Sequence, residues 1–448
     1  MRIMHGSVAR WLPAAVAAVL LWVVAPAGAE TLSLTLDEAI GIAIESNRSL
    51  AAAEASEEAA RARLAQANAA FLPGISGSGS YTRLDEVPYM DASPFGMGKI
   101  TMGDDDVYTI GLQVQQPLFT GGALLNARSA ASHGLRAAEA QTRRTGDETR
   151  YAVTGAYVNL LQARAALKVA EDGRAQMQSH LDDLEAMFEE GMIIESDIMR
   201  ARVQMSEVEL QRNTTDHLVE LAQAALAFQM GIDPRTSIDT VDPLTSAGVA
   251  DRSLEEWTER ALAARPDLLA ISESVKAAGN GVAIARAEYL PQLVFVGSYG
   301  WDRPDRSYAP EFYEHWSATI ALEMNIFDWF GRENRVREAN AVRREAEHGV
   351  AMMKDAVVLD VRRSYLELDE ARQAVGIAEG GVLQARESLR VTRESFRSGV
   401  ASNSDVLDAQ TALTTAEMNR VAALARLQQA EAGLELAAGV VSEGEEIR

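Results

Sequence analysis

Two rhythms of apolar spacing alternate along this chain. One has period seven: Val153, Leu160, Leu167, Leu181 and Phe188 share a heptad register broken only by Arg174, and Val361, Leu368, Val375, Val382, Leu389 and Phe396 form a second, unbroken one. A strict repeat of seven stays on one helical face only if the helix supercoils left-handedly against its neighbours. No proline lies between Phe119 and Phe188 or between Phe327 and Phe396. Each ladder therefore predicts a helix-rich segment of about 65 residues, roughly 100 Å at 1.5 Å per residue. A glycine then intervenes, Gly191 or Gly399, and a further helix is predicted over residues 196–230 and 404–438.

The second rhythm has period two. Tyr108, Ile110, Leu112 and Val114 alternate with Thr109, Gly111, Gln113 and Gln115; Trp316, Ala318, Ile320, Leu322, Met324 and Ile326 alternate with Ser317, Thr319, Ala321, Glu323 and Asn325. Their expected partners, 74–84 and 292–301, are rich in Gly and Ser, with Phe295, Tyr299 and Trp301 on one face. Strands of about ten residues with one apolar face suit a tilted bilayer crossing. The alternative is a pair of soluble hairpins packed on the helices. Four strands cannot close a barrel, and lipid tolerates no unpaired edge, so a spanning sheet requires two, three or four copies of the chain.

The chain repeats itself. Shifted by 208 residues, 151–212 match 359–420 at 18 of 62 positions, including Tyr157/Tyr365, Arg164/Arg372, Phe188/Phe396, Gly191/Gly399 and Asp197/Asp405. Upstream the shift is 218, aligning Phe71-Leu72-Pro73 with Tyr289-Leu290-Pro291 and Leu36 with Leu254. The difference falls in the loops at 85–106 and 302–314, and unequal length suits an external loop. One first helix is expected per copy, 36–70 and 254–289, ending before Pro73 and Pro291. The expected organisation is a signal peptide at 1–29, repeat 1 at 30–232 (hairpin 74–117, tip turn 189–196), a connecting equatorial segment at 233–252, repeat 2 at 253–439 (hairpin 291–327, tip turn 397–404) and a tail at 440–448.

The leader rests on Arg2 and Arg10, the apolar run from Trp11 to Val24, and Ala27-Gly28-Ala29 before Glu30. It predicts export. No later stretch is long and apolar enough for a spanning helix. The absence of cysteine excludes disulfides, thiolate metal sites and a cysteine nucleophile. A net charge of −23 argues against nucleic acid as a partner. No catalytic constellation is present: the segment Gly96–Thr101 lacks the rest of a phosphate loop, His133, His180, His217 and His348 are scattered, and there is no nucleophile elbow. Asp104-Asp105-Asp106 reads as a solvated loop, with a calcium site as its alternative.

With its duplicated helix, strand pair, long helix, glycine turn and helix, the chain closely resembles the TolC-like outer-membrane efflux proteins over nearly its whole mature length. The carriers are "FLP" and "YLP", "PLFTGG" (Pro117–Gly122), "NIFDWFGR" (Asn325–Arg332) and "SGVASNSDVLDAQ" (Ser398–Gln410). The resemblance implies a mainly α protein with a membrane β part: a homotrimer whose barrel, four strands per chain, continues as a helical tunnel through the periplasm. It further implies a passive duct docked onto a periplasmic adaptor (membrane fusion) protein and an inner-membrane pump, in contact with outer-membrane lipid, without cofactor or metal. Pro117, Gly121 and Gly122, and Asp328 and Gly331, are expected to turn strand into helix. Asp405 and Asp408 match carboxylates lining the constricted periplasmic entrance in the family, with Asp197 as the first-copy counterpart of Asp405 and Arg200 that of Asp408. Helix capping, by Ser196 and Ser404 or the aspartates after them, is the alternative role for Asp197 and Asp405. Gly191, Met192, Gly399 and Val400 are expected at the adaptor-docking tips. Where some relatives carry an arginine two residues after the glycine, this chain has Ala401, so a latch of that kind is not expected. A periplasmic coiled-coil scaffold or adaptor without a pore is the rival reading.

Overall fold

The computed structural model describes residues 32–440 except 247 and 306–308. The expected leader and all but the first residue of the tail lie outside these. Repeat 1 begins with a short strand β1 (Leu32–Leu34), then α1 (Leu36–Ser46) and α2 (Arg48–Ala69). Strands β2 (Gly74–Arg83) and β5 (Asp106–Phe119) flank a loop carrying a small ribbon, β3 (Tyr89–Asp91) with β4 (Lys99–Thr101). Helices α3 (Ala123–Glu189) and α4 (Glu195–Met230) follow, and β6 (Ile238–Thr240) pairs in parallel with β1. Repeat 2 comprises α5 (Leu254–Ala264), α6 (Pro266–Ala287), β7 (Gln292–Arg303), β8 (Tyr313–Glu323), α7 (Gly331–Arg397) and α8 (Asn403–Ala438). Helices of 11, 22, 67 and 36 residues thus occur in the same order in both halves.

The first helix of each copy is two helices. Asn47, in extended conformation, ends α1, and its side-chain oxygen accepts from the backbone N–H groups of Ser49 and Leu50 at 2.8 and 3.3 Å. In repeat 2, Pro266 forces Arg265 out of the helical region (ψ 123°) and takes the first helical position of α6, where its missing N–H costs nothing. The expectation of one continuous helix overlooked both breaks.

The four long strands form one antiparallel sheet in the order β2-β5-β7-β8, the two hairpins joining through β5 and β7. Register places Gly77, Leu112, Tyr299 and Trp316 in one row and Ile75, Val114, Gly297 and Ala318 in the next, with Phe295 beside Ile320 and Leu293 beside Leu322. The opposite face carries rows such as Ser76, Gln113, Ser298 and Ser317, the last two hydroxyls 2.7 Å apart. A sheet with one continuous apolar face and one hydroxyl-rich face, its apolar side chains exposed (Trp316 74%, Ile75 74%), has its natural solvent in lipid. Among the described residues no strand pairs the outer edges of β2 and β8.

Below the sheet, α3 packs on α2 and α6, and α6 on α7; farther down, α3 lies between α4 and α8, and α8 packs on α7. The core is strung along these rods rather than gathered. One cluster surrounds Tyr157, Leu160, Leu226, Met230 and Ile238, a second Trp257, Val361, Leu368 and Leu434, and two smaller ones lie near the tips. Tyr157 fastens the middle: its hydroxyl donates to Asp242 Oδ2 at 2.8 Å and lies 2.9 Å from the Leu34 carbonyl oxygen. Burial first, then the Asp242 carboxylate, pushes its pKa up to about 12.

Candidate functional site at the helical tips

The tips lie at the end of the rods opposite the sheet. Helices α3 and α7 end at left-handed glycines, Gly191 (φ 73°) and Gly399 (φ 74°), which Met192 and Val400 follow with backbone N–H bonds back to Met187 and Ser395. Met192 (59%) and Val400 (83%) are apolar residues largely exposed to solvent in a lone chain. The two turns differ in how they restart the helix. In repeat 2 the cap is Ser402, whose hydroxyl accepts from the Asp405 N–H while the Asp405 carboxylate accepts from the Ser402 N–H and hydroxyl, both at 2.7 Å. This is a reciprocal capping box with Asp in the acceptor place. In repeat 1 the corresponding residue is Ile194, and no side chain caps α4. Neither Ser196 nor Ser404 is a cap; Ser404 instead accepts from Arg200 at 3.3 Å.

The three aspartates therefore stand differently. The Ser402 hydroxyl and N–H hold the Asp405 carboxyl below its usual range. Asp408, one turn on, is exposed and makes no ion pair among the described residues. Asp197 is half-buried, and its backbone carbonyl accepts from Asn403 Nδ2 at 3.0 Å.

Asn403 and His180 are the residues that sequence reasoning missed. Asn403 is 3% exposed, and its Oδ1 accepts from His180 Nε2 at 2.9 Å; His180, 5% exposed, sets its ring edge-on to Phe396 with centroids 5.8 Å apart. This chain of contacts joins α3, α4, α7 and α8, so both tip turns share one buried polar joint. Burial pushes the His180 imidazole below its ordinary 6.5; Arg393 adds to this, while the Asn403 bond and Asp183 oppose it. The only available signal was that His180 faces Ser388 across the repeat, a difference with no visible consequence until the helices pack.

At the other end of the rods, Pro117 does not stop its strand, which bulges there and runs on to Phe119. Gly121 (φ 61°) and Gly122 (φ 86°) make the turn, and a Cβ on Gly121 would lie 2.7 Å from the Ala287 carbonyl oxygen. In repeat 2 the corresponding left-handed pair is not Gly331 but Trp329 (φ 55°) and Phe330 (φ 68°). Bulky residues there cost roughly 1–2 kcal/mol each. A staple offsets this: Asp328 Oδ2 accepts from Arg332 N at 2.8 Å and Nε at 3.2 Å, and Arg332 reaches the Asn325 carbonyl at 2.6 Å and covers the Tyr289 ring. The acidic loop is engaged in ion pairs, Arg83 with Asp105 and Asp106 and Arg303 with Asp104, two guanidinium groups against three carboxylates.

A sheet built for lipid on a duplicated helical rod has a counterpart among known proteins. The outer membrane efflux protein family model matches residues 39–231 and again 257–440. The chain is a member of that family. Outer membrane efflux protein BepC of Brucella suis is 25% identical over 91% of this chain and 86% of its own length. Alkaline protease secretion protein AprF of Pseudomonas aeruginosa is 26% identical over 93% and 86%. The crystal structure of the outer membrane protein VceC from Vibrio cholerae superposes with a TM-score of 0.76 at 20% identity, covering 90% of this chain and 96% of that one. Membership makes the chain an outer-membrane exit duct reaching into the periplasm, in a family of ducts rather than of enzymes. A pore-less scaffold leaves the four-stranded sheet without use.

Proposed function

We propose that three copies close one barrel through the β2 and β8 edges, and that the tips form a gate whose charge is carried chiefly by Asp408. The four-stranded sheet with two unpaired edges supports assembly, since a spanning sheet must pair every edge. Threefold symmetry would bring the exposed Asp405 and Asp408 carboxylates of each copy around one axis, where mutual repulsion attracts cations and favours dilation. Asp405 contributes charge but is tied to its cap, and Asp197 contributes a backbone carbonyl rather than its carboxylate. The exposed Gly191-Met192 and Gly399-Val400 turns are the docking points for a periplasmic adaptor, which links the duct to an inner-membrane pump. The names of the relatives, efflux for one and protease secretion for another, fit either use of such a conduit. The test is conductance in planar bilayers: Asp408→Ala lowers the preference for cations over anions while trimers persist in mild detergent. Unchanged selectivity in both this variant and Asp405→Ala/Asp408→Ala refutes the gate.

A further inference from the structure

About two helical turns from the start of α8, the helices α3, α4 and α8 leave a cavity of about 360 Å3 between them. Its floor is α3 at Gly173 and Met177, and its walls include Val208 of α4 and Leu407 of α8. The volume lies in the range that holds small organic ligands, about 300–1,000 Å3. One buried group on the lining is unmatched. Gln410 is 6% exposed and donates through Nε2 to the Gly173 carbonyl oxygen at 3.4 Å. That bond fixes which way the amide faces, because an amide oxygen turned toward the carbonyl would be repelled by it. Gln410 Oε1 is therefore left on the other side, sealed from solvent and without a donor among the described residues. The scaffold does not require this glutamine: a shift of 208 residues places Arg202 at the same point of repeat 1, out in solvent and paired with Glu185. A second feature of the lining is its charge. Glu207 is the one charged residue on it among those described, and it stands exposed at the rim with no ion pair among the described residues.

We propose that this cavity binds a small amphiphilic amine, its apolar body against Met177, Val208 and Leu407, its protonated nitrogen donating to Gln410 Oε1 and its charge balanced by Glu207. The chemistry of the lining selects this class. A carboxylate would meet an acceptor and a like charge with no cation to receive it, and a hydrocarbon would leave Oε1 buried without a partner. Such a ligand touches three helices at once, so its binding favours the arrangement in which they stay together above the tip turns.

The probes are 2-naphthylmethylammonium and its neutral counterpart 2-naphthylmethanol, titrated by calorimetry into the assembled full chain in detergent, with the heat of empty micelles subtracted. The expected result is saturable binding of the amine at one site per chain, tighter than that of the alcohol. Gln410→Met keeps the side-chain volume and removes the acceptor, so it weakens both probes by roughly tenfold. Glu207→Gln weakens the amine several-fold and leaves the alcohol unchanged; because this position is exposed, it tests the site even where Gln410→Met fails to fold. No saturable amine binding overturns the proposal, as does undiminished affinity in Gln410→Met or undiminished amine affinity in Glu207→Gln. Binding by dissociated chains but not by the assembly overturns it in favour of a second copy that fills the cavity.

Discussion

Replacing Asn403 by alanine removes the joint between the two tip turns and little else. The side chain makes two bonds, 3.0 Å to the Asp197 carbonyl and 2.9 Å to His180 Nε2. The carbonyl belongs to a half-buried residue and can recruit water, so its loss resembles an ordinary hydrogen bond; the His180 N–H is buried and stays unsatisfied. With about 0.5–1.5 kcal/mol for the first and 1–3 for the second, the joint is worth roughly 1.5–4.5 kcal/mol. If opening separates the α3/α4 and α7/α8 pairs, only the closed tip holds this energy, and the variant shifts the closed-to-open ratio by roughly 10- to 1,600-fold at tenfold per 1.4 kcal/mol. Single-channel recording should show long high-conductance dwells. His180→Ala should do nearly the same, and the double variant no more than either, because both delete one joint. Acid should mimic them in part. The buried ring favours its neutral form, so its stabilisation is complete above about pH 6.5 and declines as pH falls below that value. His180→Gln removes this pH dependence. Unaltered dwell times in folded Asn403→Ala, or fully additive effects in the double variant, would refute the coupling.

Three further outcomes follow from the local geometry. Asp405→Ala lowers the thermal midpoint by unmaking the Ser402 capping box, whereas Asp408→Ala leaves it in place; circular dichroism melts compare the two. Gly121→Ala costs roughly 2 kcal/mol or more from backbone strain at φ 61° together with the 2.7 Å approach to Ala287, read as a lower midpoint of unfolding in detergent. Gly399→Trp keeps the assembly but abolishes export in cells, because the exposed turn no longer fits an adaptor; sustained export with normal protein level removes that role.

The periodic parts of this molecule were legible because period is a property of sequence. The heptad residues Val153, Leu160, Val361 and Leu368 are buried, and the alternating residues of β5 and β8 fall on one face of the sheet. Where the ladder met solvent it misled: Phe188 is 43% exposed while its counterpart Phe396 packs into both tip clusters. The breaks at Asn47 and Arg265 were obscured because the same apolar spacing continues on either side of them. Ser402 and Ser404 are two residues apart, and which one caps depends on where α8 begins. Trp329 and Phe330 violate the preferences of their own residue types, since the Asp328–Arg332 staple, not local propensity, sets that backbone. The Asn403 joint was beyond reach because it exists only once α3, α4 and α8 meet.

The order of strands in the sheet has a bearing on the life of the chain before it becomes a duct. With β5 and β7 paired inside, β2 and β8 each leave a row of about ten backbone groups open, next to an apolar face. Such an edge joins any strand it meets, and water offers it no shield against a wrong partner. If three copies close the barrel as proposed, a lone copy is a transient whose two open edges await its own kind. Its persistence is governed by the concentration of sister chains and the speed of their meeting, more than by the depth of any one chain's own energy well.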